Sequence, residues 1–222
     1  MLAALSCALL VFGYWPDLDL QLSALVYRSD AGFLLAGNTL VQLIHEGVPV
    51  AAQLFGIALL AALAWCFGRS GVARSTRRKV LYLALAFVLG PLLIVNAGFK
   101  DHWGRARPQA VQAFGGTSQY SAPLRPSDQC ARNCAFVSGH AAFGFFLGAP
   151  WLICDRRRRW QWLALGLAMG VGFGLARVLQ GRHFPSDVVF AFFAVHLGNL
   201  LARWLSYRML PARLPVEHGG TD

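Results

Sequence analysis

Three short polar clusters, each at the end of an apolar stretch, contain the side chains most able to bind a ligand or take part in catalysis. The first runs from Lys100 to Pro108, the second is Ser138-Gly139-His140, and the third runs from Arg177 to Asp187. Cations and histidines at the mouths of hydrophobic segments are costly unless they meet an anionic partner. This arrangement predicts that the three clusters converge on a phosphate group.

The first two clusters contain residue types that bind anions. Lys100 offers a compact positive charge, and Arg107 offers a planar fork that can grip two phosphate oxygens. Ser138 is a good helix N-cap, and Gly139 lets a ligand approach the backbone of the helix N-terminus, which attracts anions. His140 would then face the anion from the first helical turn. Taken singly, such residues could instead be interfacial cations and a simple helix cap.

The third cluster has the spacing of an activated nucleophile. Asp187 follows His183 by four residues and could accept the proton on Nδ1 of the imidazole, which would leave Nε2 free to attack. The alternative is a structural ion pair in a loop. Arg177 lies on a helix that Gly181 and Pro185 are expected to end, so the histidine could turn back towards the arginine.

The composition indicates an integral membrane protein. The chain has 222 residues, of which 56% are hydrophobic and 14% are charged, whereas soluble domains carry about 25% charged residues. The net charge of +10 could serve nucleic-acid binding. Most of the cations, however, fall in short loops between apolar stretches, as the positive-inside rule predicts. No linker divides the chain, so residues 1–222 are predicted to form a single domain.

The apolar stretches predict an all-α fold, a polytopic bundle of six transmembrane helices. The predicted spans are residues 1–15, 48–67, 80–99, 138–154, 160–181 and 187–207. Short amphipathic helices are expected at the membrane surface in the outer loops, within residues 16–46.

The loop charges predict the orientation. With six spans, the basic segments 69–79, 156–159 and 203–213 lie on one side, which the positive-inside rule makes cytoplasmic. Both termini are then cytoplasmic, and the three polar clusters share the outer face.

Two cysteines lie together in the outer loop. A disulfide between Cys130 and Cys134 is favoured over free thiols and over a metal-binding pair, provided that a turn brings their Cα atoms close enough. No chemical role is predicted for the remaining histidines His45, His196 and His218.

The ordered motifs K-x6-R-P, S-G-H and R-x5-H-x3-D resemble those of the type-2 phosphatidic acid phosphatase superfamily. The usual family pattern has proline where this chain has Val137, and serine where it has Ala176. The first change removes a stiff entry to the fourth span, and the second removes a hydroxyl group beside the phosphate-binding arginine.

The resemblance implies a metal-independent phosphatase that needs no cofactor. His183 would be the nucleophile and form a phosphohistidine, with Asp187 orienting its ring. His140 would protonate the leaving oxygen and then activate water. The implied phosphate-binding residues are Lys100, Arg107, Ser138, Gly139 and Arg177.

The amino-acid sequence of the loop that joins the first two clusters is similar to that of bacterial lipid A phosphatases. It resembles the 4′-phosphatases more than the 1-phosphatases. Lipid A in the periplasmic leaflet of the inner membrane is therefore the expected substrate. Phosphatidylglycerol phosphate, phosphatidic acid and undecaprenyl diphosphate are the alternatives. A non-catalytic lipid binder or transporter is the alternative class of protein. The lipid headgroup is expected to meet Arg105, Arg125 and Arg132.

Overall fold

Residues 1–211 are described by a computed structural model, so Arg213 and His218 lie outside the described residues. Seven α-helices account for most of this part of the chain: α1 Leu2–Tyr14, α2 Leu18–Ala24, α3 Thr39–Gly68, α4 Arg74–Phe87, α5 Gly139–Phe146, α6 Arg156–Leu179 and α7 Pro185–Met209. Helix α4 continues without a break into a π-helix, Val88–Lys100. Two short strands, β1 Tyr27–Arg28 and β2 Gly32–Phe33, form an antiparallel hairpin. Short 3-10 turns occupy Pro108–Ala110, Gln112–Phe114 and Ala149–Leu152.

The second predicted span is longer than the sequence indicated. Helix α3 begins at Thr39 rather than at residue 48, because the Asn38 side chain caps it by accepting the Val41 N–H at 3.1 Å. The second half of the predicted surface segment 16–46 therefore includes the first turns of a membrane helix. The predicted third span likewise begins within the basic loop, at Arg74, and runs to Lys100.

The expected six separate spans are not confirmed. Among residues 1–211, four helices are long and apolar enough to cross a membrane, and a fifth span is counted if α1 and α2, bent by 84°, act together. Helix α1 alone has 13 residues, about 20 Å, which falls short of a hydrocarbon core of about 30 Å. Residues 138–154 form only the eight-residue α5 and a 3-10 turn.

Helices α5 and α6 pack at backbone contact through facing glycines. A Cβ atom on Gly166 would lie 2.7 Å from the Gly148 Cα, and one on Gly144 would lie 2.6 Å from the Gly170 nitrogen. Small residues four positions apart let two membrane helices approach this closely. The short α5 is thereby fixed against α6, and its first residues are held where α6 ends.

The polar clusters and the basic segments lie at opposite ends of the bundle. The helix α4 with its π-helical extension ends at Lys100 and α6 ends near Arg177, whereas α7 begins near His183. The basic residues lie at the other ends of these helices, where the Arg78 guanidinium sits 4.2 Å above the Tyr207 ring. One end of the molecule is therefore cationic and distant from the cluster end.

We expect Gly166→Ala to destabilise the protein, because the added methyl would collide with the backbone of Gly148, two residues after the end of α5. Overpacking of this kind costs about 1–3 kcal/mol. Gly172→Ala is the matched control on the same helix, since a Cβ there meets nothing within 4 Å. The thermal midpoint in detergent should fall for Gly166→Ala only, and equal midpoints for the two variants would contradict the packing described.

Candidate active site

The three polar clusters meet at one cavity of about 370 Å³, between α3, the π-helix, α5 and α6. Six residues predicted from the motifs line it: Lys100, Arg107, Gly139, His140, Arg177 and His183. Two others, Ser138 and Asp187, are fully buried behind its wall.

Backbone hydrogen bonds hold the clusters in register. The Ser138 N–H donates to the Asp187 carbonyl at 3.0 Å, which joins the second cluster to the third. The Ala135 N–H donates to the Arg105 carbonyl at 2.9 Å, which joins the segment before the second cluster to the first. Since both ends of these bonds belong to residues at the site, its geometry is set by main-chain contacts between distant parts of the chain.

His183 is 2% exposed, and its Nδ1 lies 2.8 Å from the Ala135 carbonyl oxygen. The Asp187 Oδ2 atom is farther away, at 3.4 Å. The Ala135 carbonyl is therefore the closer acceptor for a proton on Nδ1, and the orienting role of Asp187 stays a prediction. Both oxygens favour a proton on Nδ1, which leaves Nε2 as the basic nitrogen.

The environment of His183 also fixes its charge. Burial lowers the pKa of His183 well below its ordinary value, and the charges of Lys100, Arg107 and Arg177 lower it further. The imidazole is thus neutral around pH 7, and a neutral ring keeps the lone pair that a nucleophile needs.

Asp187 is held by donors on both of its oxygens. Its Oδ2 accepts the Phe184 N–H at 2.7 Å, which caps α7, and its Oδ1 accepts Nη1 of Arg105 at 2.7 Å. These charge-assisted bonds orient the carboxylate beside the His183 ring.

The prediction that Arg105 contacts a headgroup is wrong. Its side chain is 0% exposed and forms salt bridges with Asp19 and Asp187 at 2.7 Å each. Burial by itself would lower the pKa of Arg105, but the carboxylates of Asp187 and Asp19 outweigh it and raise that pKa. Arg105 is thus a structural cation behind the cavity wall.

The cations that line the cavity are poorly compensated. The Nε atom of Arg177, a side chain 2% exposed, has no hydrogen-bond partner within residues 1–211. Arg107 donates from Nη2 to the Asn133 carbonyl at 2.8 Å. Burial lowers the pKa of Arg107, and so does the neighbouring charge of Arg182, a cation that the motif reading did not include. Buried cations without counter-ions are costly, so this cavity is suited to an oxyanion.

Ser138 and Gly139 were both predicted to bind phosphate, but the two residues occupy different positions. The Ser138 hydroxyl is fully buried and caps α5, accepting the Ala141 N–H at 3.4 Å, so it does not face the cavity. Gly139 does line the cavity, where a Cβ would lie 3.3 Å from the Asn96 Oδ1 and 3.9 Å from the Lys100 Nζ. Of the two, Gly139 lines the cavity, and the phosphate-binding role of Ser138 stays a prediction.

His140 lies against a histidine that carried no predicted role. Its Nε2 is 3.0 Å from the His45 carbonyl oxygen and 3.4 Å from the His45 Nδ1. His45 belongs to α3 and lines the same cavity. No sequence signal indicated this contact, because residues 16–46 were predicted to be a surface segment and the two histidines are 95 positions apart.

The loop that precedes α5 contains the predicted disulfide. Cys130 and Cys134 are bonded, with their Cα atoms 5.7 Å apart, and the turn between them includes Asn133, which binds Arg107. Arg132 lines a second cavity of about 350 Å³ that Arg107 borders as well. Arg125 is exposed. The headgroup roles of Arg132 and Arg125 stay predictions.

We expect inorganic phosphate to bind the cavity and raise the thermal midpoint of the purified protein. A ligand at about 100 times its Kd stabilises a folded state by about 2.7 kcal/mol. The shift should be lost in Arg177→Gln and kept in Arg125→Gln, which removes an exposed charge outside the cavity. Equal shifts in the two variants would show that phosphate binds elsewhere.

Comparison with known proteins agrees with this geometry. Residues 79–210 match the PAP2 superfamily, and no solved structure matches the chain. A relative named lipid A 4′-phosphatase, from Francisella tularensis subsp. novicida, is 33% identical over 204 residues, which cover 90% of this chain and 91% of the relative.

Two further relatives bear the same name. The protein from Rhizobium leguminosarum is 33% identical over 60% of this chain and 58% of its own length. The protein from Rhizobium etli is 37% identical over 41% of this chain and 36% of its own. The match to the family covers more than half of the chain, and it includes all three polar clusters. The chain therefore belongs to the PAP2 superfamily and is a phosphatase that acts on phosphoric monoesters.

Proposed function

We propose that this phosphatase removes the 4′-phosphate of lipid A through a phosphohistidine intermediate, without a metal ion. The observation that carries the proposal is a cavity lined by His183, His140 and cationic side chains that, among the described residues, have no anionic partner in the cavity. The names of the three relatives supply the substrate.

In the first half-reaction, Nε2 of His183 attacks the phosphorus atom and forms an N–P bond as the bond from phosphorus to the sugar oxygen breaks. The charge that spreads over the equatorial oxygens is stabilised by Lys100, Arg107 and Arg177, which take the place that Mg²⁺ has in many phosphoryl-transfer enzymes. His140 gives a proton to the leaving oxygen and must carry both ring protons to do so. Burial lowers the pKa of His140 to about 3, so the negative charge of the bound phosphate is required to raise that pKa in the complex. Because the His140 Nε2 faces His45 in the resting geometry, the His140 ring must turn towards the cavity to give this proton.

In the second half-reaction, His140, now neutral, accepts a proton from water. The resulting hydroxide attacks phosphorus and the N–P bond breaks. Inorganic phosphate leaves, and Nε2 of His183 regains its lone pair. The Ala135 carbonyl and Asp187 stabilise the positive charge that the ring of His183 carries while it is phosphorylated.

The shape of the cavity favours a lipid. Its cationic end continues along α3 and the π-helix into walls made by apolar side chains. These walls include Val48, Ala52, Phe87, Leu92 and Phe143. A phosphate attached to an acylated sugar could occupy the cationic end while apolar parts of the molecule lie along these walls.

The charge distribution supports a periplasmic site in the bacterial inner membrane. The basic ends of α4, α6 and α7 lie opposite the cavity, and the positive-inside rule favours the cytoplasm for them. The carboxyl-terminal end of α7, at Met209, would then lie on the cytoplasmic side. The cytoplasmic location of the amino terminus stays a prediction, since α1 is too short to cross alone.

Replacing the nucleophile should abolish turnover while the protein stays folded. We expect His183→Ala to release no phosphate from lipid A. His102→Ala should retain wild-type rates, because His102 is an exposed residue of the first cluster that does not line the cavity. Phosphate release and the thermal midpoint are measured for both variants. Lipid binding without any release in the wild type would instead indicate a binder or transporter.

The position of the removed phosphate can be read from the product. We expect mass spectrometry of bisphosphorylated lipid A incubated with the enzyme to show the loss of one phosphate, with fragmentation placing the loss on the distal sugar. Phosphatidic acid, phosphatidylglycerol phosphate and undecaprenyl diphosphate are offered in parallel as competing substrates. Loss from the proximal sugar, or faster turnover of a competing lipid, would overturn the 4′ assignment.

A further inference from the structure

A buried ion network lies directly behind the cavity and involves a residue far from the three motifs. Arg105 donates from Nη1 to the Asp187 Oδ1 at 2.7 Å and from Nη2 to the Asp19 Oδ2 at 2.7 Å. All three side chains are 0% exposed. One guanidinium is thus shared between a carboxylate of the active site and a carboxylate of the amino-terminal segment.

Asp19 also binds the first turn of α7. Its Oδ1 accepts the Ser186 N–H at 3.0 Å, and its Oδ2 accepts the Ser186 hydroxyl, which in turn accepts from Arg105 at 2.9 Å. A carboxylate at this place interacts favourably with the positive end of the helix dipole. Asp19 therefore fixes both Arg105 and the turn that contains Asp187, although it precedes the residues that match the family, 79–210.

We propose that Asp19 is a positioning residue for catalysis, acting through Arg105 and Ser186 to hold Asp187 beside His183. This inference rests on the proposed phosphohistidine chemistry. Without the Asp19 charge, Arg105 is free to turn both of its terminal nitrogens towards Asp187. That movement draws the carboxylate away from the Phe184 N–H and from the imidazole, which then loses part of its orientation.

Loss of the Asp19 charge is expected to affect kcat and KM differently. Asp19 is fully buried and is not a wall of the cavity within the described residues, so its loss should leave substrate binding intact. A nucleophile displaced by a fraction of an ångström reacts more slowly, and a displacement of about 1 Å can cost about 100-fold. A fall in kcat at constant KM is the signature expected of such a residue.

The test uses the full-length enzyme in detergent with bisphosphorylated lipid A. Asp19→Asn keeps the side-chain shape and removes the charge. We expect kcat to fall between about 10- and 100-fold with KM within about twofold. Asp17→Asn, an exposed acid two positions earlier, is the matched control and should retain the wild-type kcat.

A double-mutant cycle distinguishes positioning from a general structural role. Asp187→Asn should retain a low but measurable turnover, because the Ala135 carbonyl still holds Nδ1 of His183. If Asp19 acts through Asp187, adding Asp19→Asn to Asp187→Asn should cause no further loss. The same fractional loss in both backgrounds, or a rise in KM alone, would overturn the inference.

A second variant covers the case in which Asp19→Asn does not fold. Ser186→Ala removes the hydroxyl between Asp19 and Arg105 and keeps every charge, so a smaller fall in kcat is expected, again absent beside Asp187→Asn. An unchanged kcat would count against the inference. A wild-type enzyme that releases no phosphate would refute the proposed function instead, whereas an active wild type with a fully active Asp19→Asn would refute only this inference.

Discussion

The site depends on one buried guanidinium, that of Arg105, shared between Asp19 and Asp187. Removing charges from water is expensive, and a buried pair is tolerated only when its hydrogen bonds are complete. Arg105 meets this condition through the two carboxylates, the Ser186 hydroxyl and the Ser121 carbonyl. Deleting one partner of such a network typically costs about 3–5 kcal/mol, so the network locks α2, the first cluster and α7 together.

The cavity in front of this network has the opposite electrostatic character. Behind its wall, two carboxylates compensate one arginine, whereas in the cavity Lys100, Arg107 and Arg177 face an open space. The difference follows from what each group must do. A structural cation needs permanent partners, whereas a cation proposed to bind a phosphate needs free donors, and the Nε of Arg177 has no partner within residues 1–211.

Glycine packing makes this arrangement possible in a short chain. The eight-residue α5 has too few turns to be a separate membrane span, yet it presents Gly139 and His140 to the cavity. Its backbone contact with α6 at Gly144 and Gly170 supplies dispersion contacts that a longer helix would obtain from side chains. Residues 138–154 could therefore be read as a span by hydropathy although their helix is short and buried.

The sequence by itself identified the family and its phosphatase class, because the motifs are recognised by residue type and by spacing along one chain. It predicted the motif residues, of which Lys100, Arg107 and His183 meet at one cavity, and it predicted a helical membrane protein. Only the tertiary structure decided that Arg105 is buried, that His45 faces His140, and that Asp19 and Asp187 share one guanidinium. These contacts join residues at least 82 positions apart, and no local pattern reports which distant charge will neutralise a buried one.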